Sequence, residues 1–424
     1  ESEEAYRSRL ASSWLFNGFR KTAWDMVGRV FAKPVELADA DAKLVEWCEN
    51  VDMQGRDLST FARQVFEDAI SGPGVSYIMV DSPRREGVVT QAVAQAQNLR
   101  PYLAHLRVED ILGWRAETVQ NLTRLVQLRV MEEVQEPDPA DEFGSVSVQQ
   151  VRVLDLVNGH AQVRLFRKAD AKKDWAVFDE YLTDATEITV VAVYANRTGF
   201  FTGLPLLDDL ADINIAHWQS QSDQRNILHY ARVPILFGAG VSGDITIGAV
   251  SATLSDDPNA KLQWVEHSGK AIEAGRQDLK DLEFQMETFG LQLLTPRSGA
   301  QSATGEMLDA NKETSILAMT ADQLQDALEQ ALQWMCDYGS LSGSPTAQVN
   351  KDFGVTMMGA QEVAALLTAV RDGVLSQDTA IREMARRGFI RSDVDPEDEY
   401  DRIITEGEAG MARTQEQTTA GMAV

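Results

Sequence analysis

The spacing of apolar and polar positions divides the chain into a helical start, a strand-rich middle and a helical second half. Trp14, Leu15, Phe16, Phe19, Trp24, Val27 and Val30 form a broad apolar face, which predicts helix over residues 1–47 with Pro34 ending the first run. Leu58, Phe61, Val65, Phe66, Ala69 and Ile70 predict a second helix over 58–71, broken by Gly72-Pro73-Gly74. The unbroken apolar run 75–80 predicts a buried strand, and the polar stretch 82–98 a loop leading into a short helix. Strands are expected at 102–106 and, after a turn at Val108-Glu109-Asp110, around Ile111 to Trp114. Five more follow at 122–134, 148–156, 161–167, 175–181 and 186–194, rich in Val, Leu and aromatic residues that often alternate with polar ones. Asn158-Gly159 predicts a tight hairpin turn. The acidic stretch 135–144, with Pro137 and Pro139, predicts an exposed loop.

From Pro205 the period lengthens. One helix is expected over 205–232, stopping before Val233-Pro234. Residues 233–268 predict a small β-rich insert, and 270–294 a helix whose seam is Leu279, Leu282, Met286, Phe289 and Leu293. A Ser/Gly/Ala loop precedes a very long helix over 303–338, striped by Leu317, Ala321, Leu324, Leu328, Leu332 and Met335. At 1.5 Å per residue that helix reaches on the order of 50 Å, long for a compact domain. A strand is expected at 349–358, then helices at 360–371, 376–387 and 395–406, and a frayed end. The fold class is α+β.

Composition adds limits. The 424 residues suit about three modules. Hydrophobic content of 44% is that of a globular protein, and no apolar run is long enough for a membrane helix. The start lacks the layout of a signal peptide, and because it is Glu1 rather than Met, residues are expected to precede it. Cys48 and Cys336 sit in helical segments and read as buried reduced thiols, which suits folding in a reducing cytoplasm. A net charge of −26 argues against a chain that grips nucleic acid over its whole surface, and leaves room for one past which DNA slides.

Catalytic signatures are missing. There is no phosphate-binding G-x-x-x-x-G-K-[ST] loop, no H-E-x-x-H and no G-x-S-x-G. His105, His160, His217, His229 and His267 are scattered, with no pair at helical ligand spacing. The expectation is no enzyme, no cofactor and no metal, although a site assembled from distant segments would leave no local motif.

The order of segments resembles the portal proteins of tailed bacteriophages. The local matches are Phe200 to Asn214, Asp223 to Pro234, Glu287 to Leu294 and Ser302 to Glu306, and the resemblance covers roughly residues 5–406. It implies a wing (1–204), a first stem helix (205–232), a clip (233–268), a second stem helix (269–294), a tunnel loop (295–302), a long tunnel helix (303–340), a wing strand (341–358), a short helical crown (359–407) and a flexible tail (408–424). It also implies a homo-oligomeric ring, usually of twelve subunits. The ring would sit at one capsid vertex of the virion, assembled in the host cytoplasm, for DNA packaging, ejection and head–tail attachment. The implied partners are the terminase motor, a head–tail adaptor, capsid and scaffold proteins, and double-stranded DNA passing through the channel, with no membrane.

On that alignment the channel constriction falls on Thr295, Pro296, Arg297, Ser298, Gly299, Ala300, Gln301 and Ser302, with Arg297 the one charge available to touch phosphates. Gln219, Gln221, Ser222, Gln224 and Arg225 are the channel-facing candidates in the stem. Asp244, Asp256, Asp257, Lys261 and Glu266 are the docking candidates in the clip. The first stem helix is polar on both sides at its centre, odd for a helix in one core, and contacts between subunits or a wet channel would explain it. Glu306, Asp309, Glu313, Asp322, Asp326, Glu329 and Asp337 against Lys312 would make the long helix an acidic wall that DNA does not stick to. Two other readings stay open: an oligomeric virion or scaffold protein that conducts no DNA, and a hydrolase with a scattered site.

Overall fold

The computed structural model describes residues 2–83, 97–119, 121–139, 141–168, 174–232, 235–241, 258–265, 269–291, 303–351 and 360–386, with isolated positions besides. The chain divides into two compact units, Glu1–Lys351 and Asp352–Val424.

The N-terminal region is broken up more than its apolar pattern suggests. It forms α1 (Glu3–Ser12), α2 (Gly18–Val30), β1 (Glu36–Ala38) and α3 (Ala42–Cys48). Asn17 caps α2 by accepting from the Arg20 amide at 2.8 Å, so Trp14, Leu15 and Phe16 fall in a link between helices and stay about half exposed. Ala23, Met26, Val27 and Val30 form the buried face of α2, while Trp24 points outward.

Helix α4 (Leu58–Ser71) matches its expected bounds. Asp57 caps it, accepting from the Thr60 amide at 2.7 Å, and Leu58, Phe61, Ala62, Val65, Phe66, Ala69 and Ile70 are all buried. It packs on a three-stranded antiparallel sheet, order β3 (Tyr102–Leu106), β2 (Val75–Asp81), β9 (Val190–Tyr194). Central β2 is buried on both faces, which is why it reads as an unbroken apolar run. Its Val75, Tyr77 and Met79 share a core with Leu125, Leu128, Val130, Leu154 and Val163 of a second sheet.

That second sheet is a five-stranded meander: β4 (Ile111–Val119), β5 (Leu122–Pro137), β6 (Ser145–Val157), β7 (His160–Arg167) and β8 (Ala176–Leu182). The Asn158-Gly159 turn joins β6 to β7 as expected, both residues at positive φ and Val157 opposite His160. The proline-containing stretch is less of a loop than expected, since β5 runs on to Pro137 opposite Ser145. Pairing with β4 stops at Val130, so Pro137 sits where one side of β5 is an open edge and its missing N–H costs no ladder bond.

Past two short strands, β10 (Arg197–Gly199) and β11 (Thr202–Gly203), come α5 (Asp208–Ala231), β12 (Ile235–Ala239), β13 (Lys261–Val265) and α6 (Lys270–Met286). A π-helical turn, Glu287–Leu291, prolongs α6. Helix α7 (Ala303–Gly339) is the long helix, and its predicted stripe of Leu317, Ala321, Leu324, Leu328, Leu332 and Met335 is buried to 1% exposure or less. Strand β14 (Thr346–Gln348) pairs antiparallel with β1. Of the strand expected at 349–358, residues 349–351 are not strand, and the rest lies outside the described residues.

The second unit holds α8 (Ala360–Arg371) and α9 (Gln377–Arg386), joined through Gly373 at positive φ. The helix expected at 395–406 falls mostly outside the described residues, as does most of the expected loop and helix at 84–96.

Candidate functional site

The most distinctive assembly is the hairpin of α5 and α6 with the β12–β13 ribbon at its far end. The two helices run antiparallel: His217 Nε2 lies 3.4 Å from Glu283 Oε1, Ser220 Oγ donates to Asp278 at 2.5 Å, and Gln224 Nε2 donates to the Ile272 carbonyl at 2.7 Å. The polar centre of α5 is thus the face that meets α6. Its other side is covered by the N-terminal segment. Ser13 donates to Ser222 at 3.0 Å, Arg9 pairs with Asp223 at 2.7 Å, Arg225 lies over the Trp14 ring at 5.5 Å, and Phe16 packs on His217. At the base the Phe19 amide donates to Asn214 at 3.2 Å. Partners within the chain therefore account for much of the polarity that the sequence alone leaves to neighbouring subunits.

The stem candidates separate accordingly. Gln219 is exposed, Gln224 is buried against α6, Ser222 meets the N-terminal segment, and Arg225 is an exposed cation stacked on Trp14. Gln221 is half-buried, with its side-chain oxygen unpaired. The seam of α6 is narrower than expected: Met286 is buried, Leu279 and Leu282 are half-buried, and Phe289 is 62% exposed.

The ribbon is a two-stranded sheet, with Phe237 opposite Gln263 and Leu236 opposite Trp264. Directly opposed residues share a face. Phe237 and Val265 therefore lie on one face, Leu262 and Trp264 on the other, and these four are 42–52% exposed. Of the docking candidates only Lys261 lies among the described residues, exposed at the start of β13. Asp244, Asp256, Asp257 and Glu266 lie outside them, as do Thr295, Pro296, Arg297, Ser298, Gly299, Ala300, Gln301 and Ser302. The apolar ribbon residues were not singled out by sequence reasoning. Their signal was apolar side chains on both phases of the alternation.

On α7, Asp322 pairs with Lys351, Glu329 accepts from the Ala347 amide at 3.2 Å, and Asp337 accepts from Gln333 at 3.1 Å. Part of the acidity of the long helix thus serves contacts within the chain. Asp326 is exposed.

One cluster has the residue types of a hydrolytic triad. Asp68 of α4, Ser76 of β2 and His105 of β3 meet, with Ser76 Oγ at 2.8 Å and Asp68 Oδ2 at 3.2 Å from the same imidazole nitrogen, Nε2. A relay needs the carboxylate on the other nitrogen, and a serine open to substrate. Ser76 is 1% exposed, so the cluster braces a helix against two strands. Burial, with Arg56 and Arg107 nearby, pushes the His105 pKa down to about 4, and burial pushes the Asp68 carboxyl up. Between the ordinary value near 6.5 and about 4, the unfolded chain takes up a proton that the folded chain refuses. Stability from this group is complete above that window and falls as pH drops through it. A His105→Gln variant is expected to show a flatter loss in urea melts from pH 7 to pH 4 than the parent, and equal slopes would refute the assignment.

A cleft of about 640 Å³ near the C-terminal end of α7 is lined by Asp81, Asp184, Glu187 and Asp337 among others. Glu187 accepts from the Trp334 indole at 2.8 Å and Asp81 from the Tyr102 hydroxyl at 3.0 Å, so these two carboxylates are committed within the chain. Among the described residues no group of three His, Cys, Asp or Glu could hold a metal ion, and no helix is long and apolar enough to cross a membrane. Cys48 and Cys336 are buried free thiols, and burial pushes the Cys48 thiol up to about 12.

Residues 205–339, from just before α5 to the end of the long helix, match a family described as a domain of unknown function, DUF4055. No curated protein matches the sequence. Among solved structures, the chain is similar to one titled as the neck of an empty GTA particle with C6 symmetry, at 12% identity and a TM-score of 0.44, covering 87% of this chain and 89% of that one. A second is titled as the neck of the native GTA particle with C12 symmetry, at 11% identity, a TM-score of 0.44, and 86% and 88% coverage.

Proposed function

We propose that this chain is the portal subunit of a tailed bacteriophage. It would be one copy of a ring, of twelve on the family pattern, that sits at one capsid vertex and lets DNA pass during packaging and ejection. The observation that carries the reading is the α5–α6 hairpin tipped by a ribbon that is two-stranded among the described residues. A two-stranded ribbon is marginal in water. This one exposes Phe237 and Val265 on one face and Leu262 and Trp264 on the other, which a lone subunit has no reason to do. A second copy covering it supplies the reason. The segment order agrees with the resemblance: α/β body, helix, β insert, returning helix, long helix. The chain has no nucleotide-binding loop, so translocation energy would come from a terminase motor docked on the ribbon end, replaced later by a head–tail adaptor. In this reading the chain is a conduit, not an enzyme, and needs no cofactor.

The test is the purified full chain viewed down its axis by negative-stain microscopy. Rings with a central hole are expected; closed particles would favour a scaffold role, and a monomer at every concentration would sink the ring. Trp264→Ser, at an exposed position, is expected to raise the concentration needed for assembly by tenfold or more, equivalent to about 1.4 kcal/mol, while leaving the melting temperature of the subunit unchanged.

A further inference from the structure

The cleft of about 640 Å³ at the end of α7 plays no part in the function proposed above. One wall is the connection from β8 to β9, and it is pinned in place. The Thr183 amide and hydroxyl donate to the Ala161 carbonyl at 2.8 and 2.9 Å, and the Ala161 amide donates to the Ala185 carbonyl at 2.8 Å. Further on, the Thr189 hydroxyl donates to the Val80 carbonyl at 2.8 Å. Tyr181, Trp334 and Tyr338 line the cleft with aromatic rings. Asp81, Asp184, Glu187 and Asp337 line it with carboxylates, and its lining holds no Lys, Arg or His. Asp81 is held by Arg152, which also serves Glu132, and Glu187 by the Trp334 indole. The other two carboxylates are open. Asp184 is exposed and makes no side-chain hydrogen bond or ion pair among the described residues. Asp337, also exposed, accepts from Gln333 through Oδ1 and keeps Oδ2. The last turn of α7 contains no basic residue, so the negative end of the helix has no compensating charge there. Burial, with Asp81 and Asp184 adding, pushes the Tyr338 phenol up, as a negative field in the cleft would.

We propose that this cleft binds an extended organic cation of the polyamine class, with ammonium groups on Asp184 and Asp337 and its methylene chain along the rings. A metal ion would need carboxylates that converge. Here they do not: among the described residues no three ligating groups come together. Charges spread along a cleft suit a ligand whose own charges are spread. The rings supply what a hydrated inorganic ion cannot use, apolar surface for methylene groups and negative faces for ammonium groups. A lysine or arginine side chain of a protein shares the cationic chemistry but brings one charge, against two open carboxylates. An anion would meet carboxylates and no cation. Because the wall is already pinned, binding orders little of the chain. The cleft is built within one chain, so the inference stands apart from the ring reading.

The experiment titrates the full chain with spermidine in a calorimeter at fixed ionic strength. One site per chain is expected, distinct from the diffuse attraction that a net charge of −26 exerts on any cation. Asp184→Asn with Asp337→Asn is expected to weaken that site at least about tenfold. Asp326→Asn, exposed on α7 outside the cleft, is expected to leave it unchanged. Thr186→Arg keeps every carboxylate and places a tethered cation at an exposed lining position, so it is expected to block the site. Ligand-free melts by circular dichroism check that each variant is folded. Parent affinity in the double variant, or in Thr186→Arg, would mean diffuse attraction alone and overturns the proposal. Magnesium chloride binding this site as tightly as spermidine overturns it too, since a compact dication has no use for the rings. Equal affinity for N-acetylarginine amide would make the occupant a single protein side chain and likewise removes the polyamine.

Discussion

Replacing Arg152 with alanine is expected to cost about 3–5 kcal/mol of folding stability. Arg152, on β6, reaches Asp81 at the end of β2 at 2.9 Å and Glu132 on β5 at 2.5 Å. Its side chain is 15% exposed, and those of its partners 17% and 20%. Burial alone disfavours the guanidinium charge, but the two carboxylates outweigh it and hold its pKa above the ordinary range. The cation therefore ties the meander to the central sheet at a place where water does little screening. Gln150 adds a bond to Glu132 at 2.6 Å, and Tyr102 one to Asp81 at 3.0 Å. Removing Arg152 leaves two nearly buried carboxylates without their counter-charge, and that residue of unpaired charge is the main cost. Adding Asp81→Asn and Glu132→Gln to Arg152→Ala should recover a large part of the loss in urea melts followed by tryptophan fluorescence. A loss below about 1 kcal/mol for Arg152→Ala would mean that the network behaves as a surface pair.

This pin also shows what the sequence could and could not convey. Helix α4, strands β2 and β3, the Asn158-Gly159 hairpin and the α7 stripe were legible because each follows from local period or turn chemistry. The Arg152 network was not, because it joins positions 81, 132 and 152 that no local pattern links. The same holds for α5. Residues Asn214 to Asn226 read as polar all round, which suggested a wet face. The structure divides that polarity between α6 and a segment some 200 residues earlier, since Ser13 and Ser222 are 209 positions apart. The α1–α2 break failed for a local reason: one long apolar stretch outweighed the Asn17 cap inside it. The ribbon residues show a different limit. Phe237 and Trp264 looked like ordinary strand apolars, and their exposure shows only in the folded chain.

Gly74→Ala is expected to be the most damaging single methyl added to the chain. Gly74 links α4 to β2 at φ 81°, where an L side chain is strained by about 1 kcal/mol. A methyl there would also stand 1.8 Å from the Leu204 carbonyl oxygen and 2.9 Å from its amide nitrogen. Those are backbone atoms, and they are held. The Leu204 amide donates to the Asn196 carbonyl at 3.0 Å, and the Gly74 carbonyl accepts from Ala195 and Asn196 at 2.9 and 3.1 Å. Gly203 makes the crossing possible from the other side, since a methyl on it would meet the Gly74 oxygen at 2.6 Å. Nothing at the end of a flexible side chain can yield, so the crossing strands must part. The expected loss is about 3 kcal/mol or more, beyond what conformation alone costs. Gly159→Ala supplies the control: its φ is 83°, yet nothing lies within 4 Å of the added methyl, so only the conformational part, about 1 kcal/mol, should appear. Because Leu204 stands just before α5, Gly74→Ala should also displace the start of that helix. The assembly proposed above is then expected to fail at temperatures where circular dichroism still reports the helices. Equal losses for Gly74→Ala and Gly159→Ala would show that the two backbones are not in contact at this crossing.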